Sequence, residues 1–231
     1  MKSVLEQTYA NIEYIIVDGD SKDNTCNIIQ KYTIDKRIKY LSEEDTGLYN
    51  AMNKSLNMIT GDYVIFMNSG DFFVDENVLQ NICNEMHEDE LPDLIYGNVI
   101  RQTINGKRRE CYGGRISVKR NLLLGRMISH QVMFFKTDVI KNYCYDETYI
   151  ITADFNLLAR MLKNKCSMEY IDIDVSVMEN REGISANPTN LQRMREEDDR
   201  TIRGCFPFWY VVLRPIKYIK RSCDNFHCKK H

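Results

Sequence analysis

What most constrains this chain is a rhythm in its first hundred or so residues: compact apolar runs, each closed by a polar turn and followed by an amphipathic stretch. "NIEYIIVDGDSKDNT" opens with Ile12 to Val17, a run rich in Ile and Val that predicts a strand buried on both faces. It stops at Asp18-Gly19-Asp20-Ser21. In "DNTCNIIQKY" (23–32), Ile28, Ile29 and Tyr32 fall at helical spacing behind an Asp/Asn/Thr start. A second strand is predicted over Ile38 to Leu41. Then Leu48, Ala51, Met52, Ser55, Leu56 and Ile59 make one helix face, which Gly61 ends. "DYVIFMNSGD" reads as a third strand. "DENVLQNICNEMHE" reads as a helix with Val78, Leu79, Ile82, Cys83 and Met86 inward, and "DLIYGNVI" as a fourth strand.

Strand and helix alternate throughout. The predicted class is therefore α/β, a mostly parallel sheet with helices on both faces. In such sheets ligands bind beyond the carboxyl ends of the strands. Asp18, Glu44, Asp45 and Asp71 each stand just after a strand. Acids gathered at one sheet edge repel unless a cation or a hydroxyl-rich ligand joins them.

Composition excludes several classes. The net charge of −2 from 31 basic and 33 acidic residues gives no field that would draw the chain to nucleic acid. The 8 cysteines are scattered without a CxxC pair, which predicts reduced thiols in a cytoplasmic protein. "MKSVLEQTYANIEY" has charges where a signal peptide needs an apolar core, and "FPFWYVVL" (206–213) is too short to span a bilayer.

After about residue 98 the rhythm changes. "RQTINGKRRECYGGRIS" predicts an exposed hairpin with a Gly-Gly turn, and "HQVMFFK" a short strand behind His130. "YIITADFNLLARMLKNK" predicts a helix starting near Thr152, "SMEYIDIDVSVME" a strand and "NREGISANPTN" a loop. We expect one domain over 1–205, with a nucleotide-binding half (1–98) and an acceptor half (99–205), then an aromatic and basic tail over 206–231.

The sharpest motif is "MNSGD" (67–71). A carboxylate just past a strand end, with Gly70 letting the backbone approach, suits a hard divalent cation bridging a diphosphate. The plain alternative is a polar turn whose acid serves only as a cap. The segments "IEYIIVDGDSKDNT", "SEEDTGLYNAMNKSLNMITGDYVIFMNSGD", "ISHQVMFF" and "ITADFNLLARML" together resemble family-2 glycosyltransferases of the GT-A fold, in particular the bacterial colanic-acid and exopolysaccharide branch. The resemblance covers most of residues 3–185. It implies transfer of a sugar from a UDP- or GDP-sugar donor, with a Mn²⁺ or Mg²⁺ ion, to a glycan or lipid-linked acceptor with inversion. It implies a metal on Asp71, with Ser69 in the place of the first acid of the Asp-X-Asp motif. Asp18 would contact the base and ribose, while Asp45, Asn53 and Lys54 would line the ribose and diphosphate. Asp154 would be the catalytic base, and His130 would contact diphosphate or acceptor. Each has a bland alternative: a turn acid at Asp18, a solvated helix face at Asn53 and Lys54, a helix-dipole acid at Asp154, a structural histidine at His130. Arg181 and Ser185 would sit in a loop near the diphosphate, where Glu182 replaces a family glycine.

The resemblance also implies a departure. Related domains open with a strand, a "P-x-Y-N"-type loop and a helix ending in a "SVLNQTY"-like segment. Here "SVLEQTY" (3–9) lies at the amino end, so a first strand and most of its helix are expected to be absent, leaving unpaired strand edges. A start assigned downstream, a decayed fragment, or a gap filled by another chain or a rearranged sheet would each account for this. The alternative function is then a non-catalytic remnant or scaffold subunit. In the tail, "FPFWYVVLRPIKYIKR" suits peripheral contact with the inner face of an anionic membrane, or a last helix packed on the domain. Cys223, His227, Cys228 and His231 match no zinc spacing.

Overall fold

Apolar runs form strands and one-sided apolar stripes form helices in the computed structural model, which describes residues 1–86, 91–103, 106–113, 118–125, 127–179 and 187–212. Helix α1 (Lys2–Leu5) leads into β1 (Tyr14–Asp18), α2 (Thr25–Tyr32), β2 (Ile38–Ser42), α3 (Leu48–Leu56) and β3 (Tyr63–Val64). Then come β4 (Phe72–Phe73), α4 (Val78–Glu85) and the long β5 (Leu94–Thr103). The second half adds β6 (Gly106–Glu110), α5 (Val118–Leu123), β7 (Met133–Lys136), α6 (Thr137–Tyr143), α7 (Ala153–Lys163), β8 (Met168–Glu179) and α8 (Leu191–Cys205).

On α3 the buried stripe is Tyr49, Met52, Ser55 and Leu56, and on α4 it is Val78 and Ile82. On α2 only Ile29 is buried; Ile28 and Tyr32 stay exposed. Residue 98 is no break: Leu94, Ile95 and Val99 of β5 are fully buried in one core with Phe135 of β7, Leu157 and Met161 of α7, and Ile202 of α8.

The α/β class holds, but the sheet is mixed rather than mostly parallel. One sheet is the parallel pair β1–β2. The other runs β3-β7-β5-β8-β4, with β6 also on β5. Only β5–β8 is parallel there; β3–β7, β5–β7, β4–β8 and β5–β6 are antiparallel. β8 follows β5 along its length, so β7 and β6 share its other edge, β7 at Leu94–Tyr96 and β6 from Val99 on. An antiparallel strand thus intervenes between β3 and β5, which strand-helix rhythm cannot reveal. The expected Gly-Gly hairpin is also displaced: the chain reverses between Thr103 and Gly106, whose φ of 111° suits glycine. At Gly113 the ring of Tyr170 leaves no room for a side chain.

The third predicted strand is short. β3 covers only Tyr63 and Val64, which pair with Lys136 and Phe135 of β7; β7 itself begins at Met133 after a 3-10 turn at His130–Val132. Beyond Val64, that neighbour gives no ladder. The far edge is open as well. Tyr14 N–H donates to Arg37 and Asp18 C=O accepts from Glu43, so Tyr14, Ile16 and Asp18 pair with β2 and the backbone of Ile15 and Val17 faces away. Thr137 N–H donates to Asp62, so Tyr63 likewise faces away from β7. Among the described residues no ladder joins β1 to β3. Both edges line one cavity of about 1840 Å³.

Candidate active site

That cavity runs from the two open edges to the carboxyl end of β3. There Asn68, Ser69, Gly70 and Asp71 form a turn, closed by Asp71 N–H donating to Asn68 C=O at 3.1 Å. Gly70 has φ 93°, which places the turn's third residue in the left-handed region. β4 follows directly and is pinned on β8. The Asp71 carboxylate is therefore delivered to the cavity wall by a turn that β4 anchors immediately after it.

The His130–Val132 turn lies opposite. Gln131 Nε2 donates to Asp71 Oδ2 at 2.8 Å. His130, 9% exposed, has Nδ1 at 3.2 Å from Asp154 Oδ2 and Nε2 at 3.0 Å from Asn68 Nδ2. Asp154 sits in the first turn of α7, where the helix dipole favours an anion, and its Oδ1 accepts from Phe155 N–H at 2.8 Å. Asn68, Ser69, Asp71, His130, Gln131 and Asp154 all line the cavity. Arg101 lines it too, paired with Glu110 at 2.6 Å.

The segment before Asp154 is held from two sides. Tyr49 O–H donates to Ile151 C=O at 2.6 Å; burial, and then the nearby Asp154 charge, push its phenol far above the usual range. Glu197 of α8, nearly buried, accepts from the N–H groups of Ile150, Ile151 and Thr152 at 3.0, 3.0 and 2.8 Å. It caps α7 from another helix, since Thr152 makes no side-chain cap bond. Sequence reasoning missed α8 and Glu197, and missed Asn68 and Gln131 as partners. The available signal was "NLQRMREEDDRTIRGC", where Met194, Thr201 and Ile202 are spaced as a helix face that also carries Glu197.

Four expected site residues lie apart from this cluster. Asp18 is buried in its own turn: Ser21 Oγ donates to Oδ1 at 2.6 Å, while Ser21 N–H, Ser42 Oγ and Cys26 Sγ reach Oδ2 at 3.0, 2.9 and 3.3 Å. Asp45 is half-buried beside Gly19, where a side chain would meet its carboxylate at 2.6 Å, so the loops after β1 and β2 touch. Its Oδ1 accepts from Gly47 N–H at 3.0 Å. The Asn53 amide bonds Tyr145 and Glu147, and Lys54 bonds Glu43 and the Glu44 carbonyl. None of the four lines the cavity. Arg181, Glu182 and Ser185, the tail's basic residues and its Cys/His group lie outside the described residues.

The donor set bears on a metal. Among the described residues no cluster of three His, Cys, Asp or Glu side chains is placed to hold an ion. Asp71 offers one carboxylate, which fits Mg²⁺-type binding through one or two carboxylates completed by substrate phosphates and water.

The family model of Glycosyl transferase family 2 matches residues 1–162. The chain belongs to this family. A PGL/p-HBAD biosynthesis glycosyltransferase of Mycobacterium bovis is 28% identical over 226 residues, 96% of this chain and 86% of that protein. The Escherichia coli UDP-Glc:alpha-D-GlcNAc-diphosphoundecaprenol beta-1,3-glucosyltransferase WfgD is 35% identical over 99 residues, 42% of this chain and 38% of its own. Residues 1–349 of S. aureus TarS in complex with UDP-GlcNAc superpose with a TM-score of 0.70 at 16% identity, covering 89% of this chain and 62% of that one. The Pyrobaculum calidifontis mannosyltransferase PcManGT, in complex with GDP-Man and Mn²⁺, gives 0.59 at 15% identity, covering 84% of this chain and 55% of its own. This family-2 chain thus shares the GT-A fold. Among the described residues no helix is long and apolar enough to cross a membrane. Beyond α8, Phe206 is buried while Phe208, Trp209, Val211 and Val212 are exposed.

Proposed function

We propose that this protein transfers a sugar from a UDP- or GDP-sugar to a hydroxyl of a glycan or lipid-linked acceptor in bacterial surface polysaccharide synthesis, with inversion. The observation that carries the reading is that Asp71 and Asp154 face one cavity from opposite ends of a single turn, His130–Gln131. The acceptor oxygen attacks the anomeric carbon as its proton passes to Asp154. The carbon–oxygen bond to the nucleotide breaks on the other face, and its electron pair leaves with the diphosphate. Mn²⁺ or Mg²⁺ bound through Asp71 would neutralise charge on that leaving group. Ser69 contacts the diphosphate from the same turn. The nucleoside lies over the touching loops after β1 and β2, where Asp45 contributes a half-buried carboxylate. Asp18 supports that site by shaping the first loop, and Asn53 and Lys54 by tying α3 to Tyr145 and Glu44. The protein works in the cytoplasm at the inner membrane face, where the exposed Phe208, Trp209, Val211 and Val212 approach the lipid carrying the acceptor.

The test is a thermal shift with UDP or GDP plus Mn²⁺, followed by nucleotide release with a panel of nucleotide sugars. The shift should vanish in Asp71→Ala, whereas Asp154→Asn should keep the shift and lose transfer. No shift with any nucleotide, or an unaltered shift in Asp71→Ala, would sink the reading. One observation favours a second reading, a chain that keeps the fold without turnover: the open edges of β1 and β3. Nucleotide binding without transfer to any acceptor would select it.

A further inference from the structure

His130 was expected to touch the diphosphate or the acceptor. Both of its ring nitrogens are instead engaged by protein. Asn68 presents its amide nitrogen to Nε2 at 3.0 Å, a donor that the ring can accept only with its proton on Nδ1. In that tautomer Nδ1–H points at Asp154 Oδ2, 3.2 Å away. The next residue, Gln131, holds Asp71 by a 2.8 Å hydrogen bond. The two residues are buried at 9% and 4% exposure, and their turn is braced by Val132 N–H donating to Ser129 C=O and by β7 immediately after it.

We propose that His130 and Gln131 act as one positioning unit, His130 locking the Asp154 carboxylate to the 67–71 turn through Asn68 while Gln131 fixes Asp71, so that base and diphosphate site keep one separation. This deepens the proposed transfer reaction and rests on it for the role of Asp154. The geometry argues for positioning over ligand contact on three counts. First, neither ring nitrogen of His130 has a donor or lone pair left for substrate. Second, both residues lie on a buried turn, the kind of rigid support a reacting carboxylate needs. Third, the same dipeptide reaches both acids, so a shift of the turn moves both at once. A displacement of about 1 Å between reacting groups lowers a rate on the order of 10²-fold.

The experiment has two arms. In the first, long-range ¹H–¹⁵N NMR is recorded on the full chain, whose four histidines keep the spectrum simple, with His130 assigned by loss of its signals in His130→Gln. The expected result is the Nδ1–H tautomer, perturbed in both Asn68→Ala and Asp154→Asn. An Nε2–H ring, or one blind to both substitutions, overturns the proposal whether or not the protein transfers sugar. In the second arm, turnover and UDP–Mn²⁺ affinity are measured for His130→Ala and His130→Gln. The expected result is a kcat roughly 10²-fold lower for His130→Ala, with partial recovery in His130→Gln, whose amide can donate to Asp154, and with nucleotide affinity unchanged in both. The unchanged affinity also shows that each variant is folded; if His130→Ala does not fold, His130→Gln alone decides, by kcat reduced at unchanged affinity. Nucleotide affinity lost in proportion to turnover would make His130 a ligand contact and overturn the proposal, as would unchanged turnover. Absence of transfer in the wild type would count against the proposed function and leave the NMR arm to judge the clamp.

Discussion

Replacing Asp18 by Asn tests how the first strand's end is held. Asp18 is 7% exposed, and burial alone would raise its pKa. The hydrogen bonds from Ser21, Ser42 and Cys26 outweigh burial and hold it at about 2 instead of the usual 3.8. A folded-state pKa below the unfolded value means the stabilisation is present above about pH 4 and is lost as pH falls through about 2. At 1.36 kcal/mol per unit, the shift corresponds to at most about 2.5 kcal/mol. The neighbouring loop residues Gly19 and Asp20 are open to water, so we expect roughly 1–2 kcal/mol. Asp18→Asn should lower stability at pH 7 by that amount, since its amide nitrogen faces donors it cannot accept from. About half of the wild-type advantage should be gone by pH 3. Urea unfolding at pH 7, 5 and 3 measures this, with the m-value unchanged between the two proteins. A variant as stable as wild type at pH 7, or a gap that does not narrow in acid, would refute the reasoning.

Hydrogen-exchange NMR should find the Tyr14 and Ile16 amides protected and those of Ile15, Val17 and Tyr63 fast, because the latter face the open edge between β1 and β3; equal protection along β1 would mean that the edge is closed in solution. Glu197→Ala should cost about 3 kcal/mol in urea unfolding by leaving the amides of Ile150, Ile151 and Thr152 without their acceptor; a loss under about 1 kcal/mol would show that water replaces it. Gly97→Ala places a methyl 2.6 Å from both the Ile173 carbonyl and Val175 Cγ2 at the β5–β8 bulge, so it should destabilise by roughly 1–3 kcal/mol, visible as a lowered Tm.

Much of the fold was legible because strands and helices bury different periods. The runs at Tyr14–Asp18 and Leu94–Tyr96, and the face Met52, Ser55 and Leu56, announce their elements without reference to anything distant, although Leu48, expected on that face, is exposed and Tyr49 is buried in its place. The turn at 68–71 was legible too, since Gly70 and Asp71 end an apolar run abruptly. What was not legible depended on neighbours. "YVIFMN" looks like six residues of strand, yet only two find a ladder: β7 pairs with Tyr63 and Val64 alone, and the other edge faces a cavity. Glu197 hides in a helix of alternating charges, and nothing local separates it from Glu196, which points to solvent.

By itself, then, the sequence determined the α/β class, the acids at strand ends and the family, for these rest on local period and on motifs in order. Tertiary structure decided the rest. It placed the antiparallel β7 between β3 and β5 and left the edges of β1 and β3 apart. It also set His130 between Asn68 and Asp154. The reason is physical: a hydrogen bond between residues 62 positions apart, as between Asn68 and His130, exists only after the sheet has set the distance.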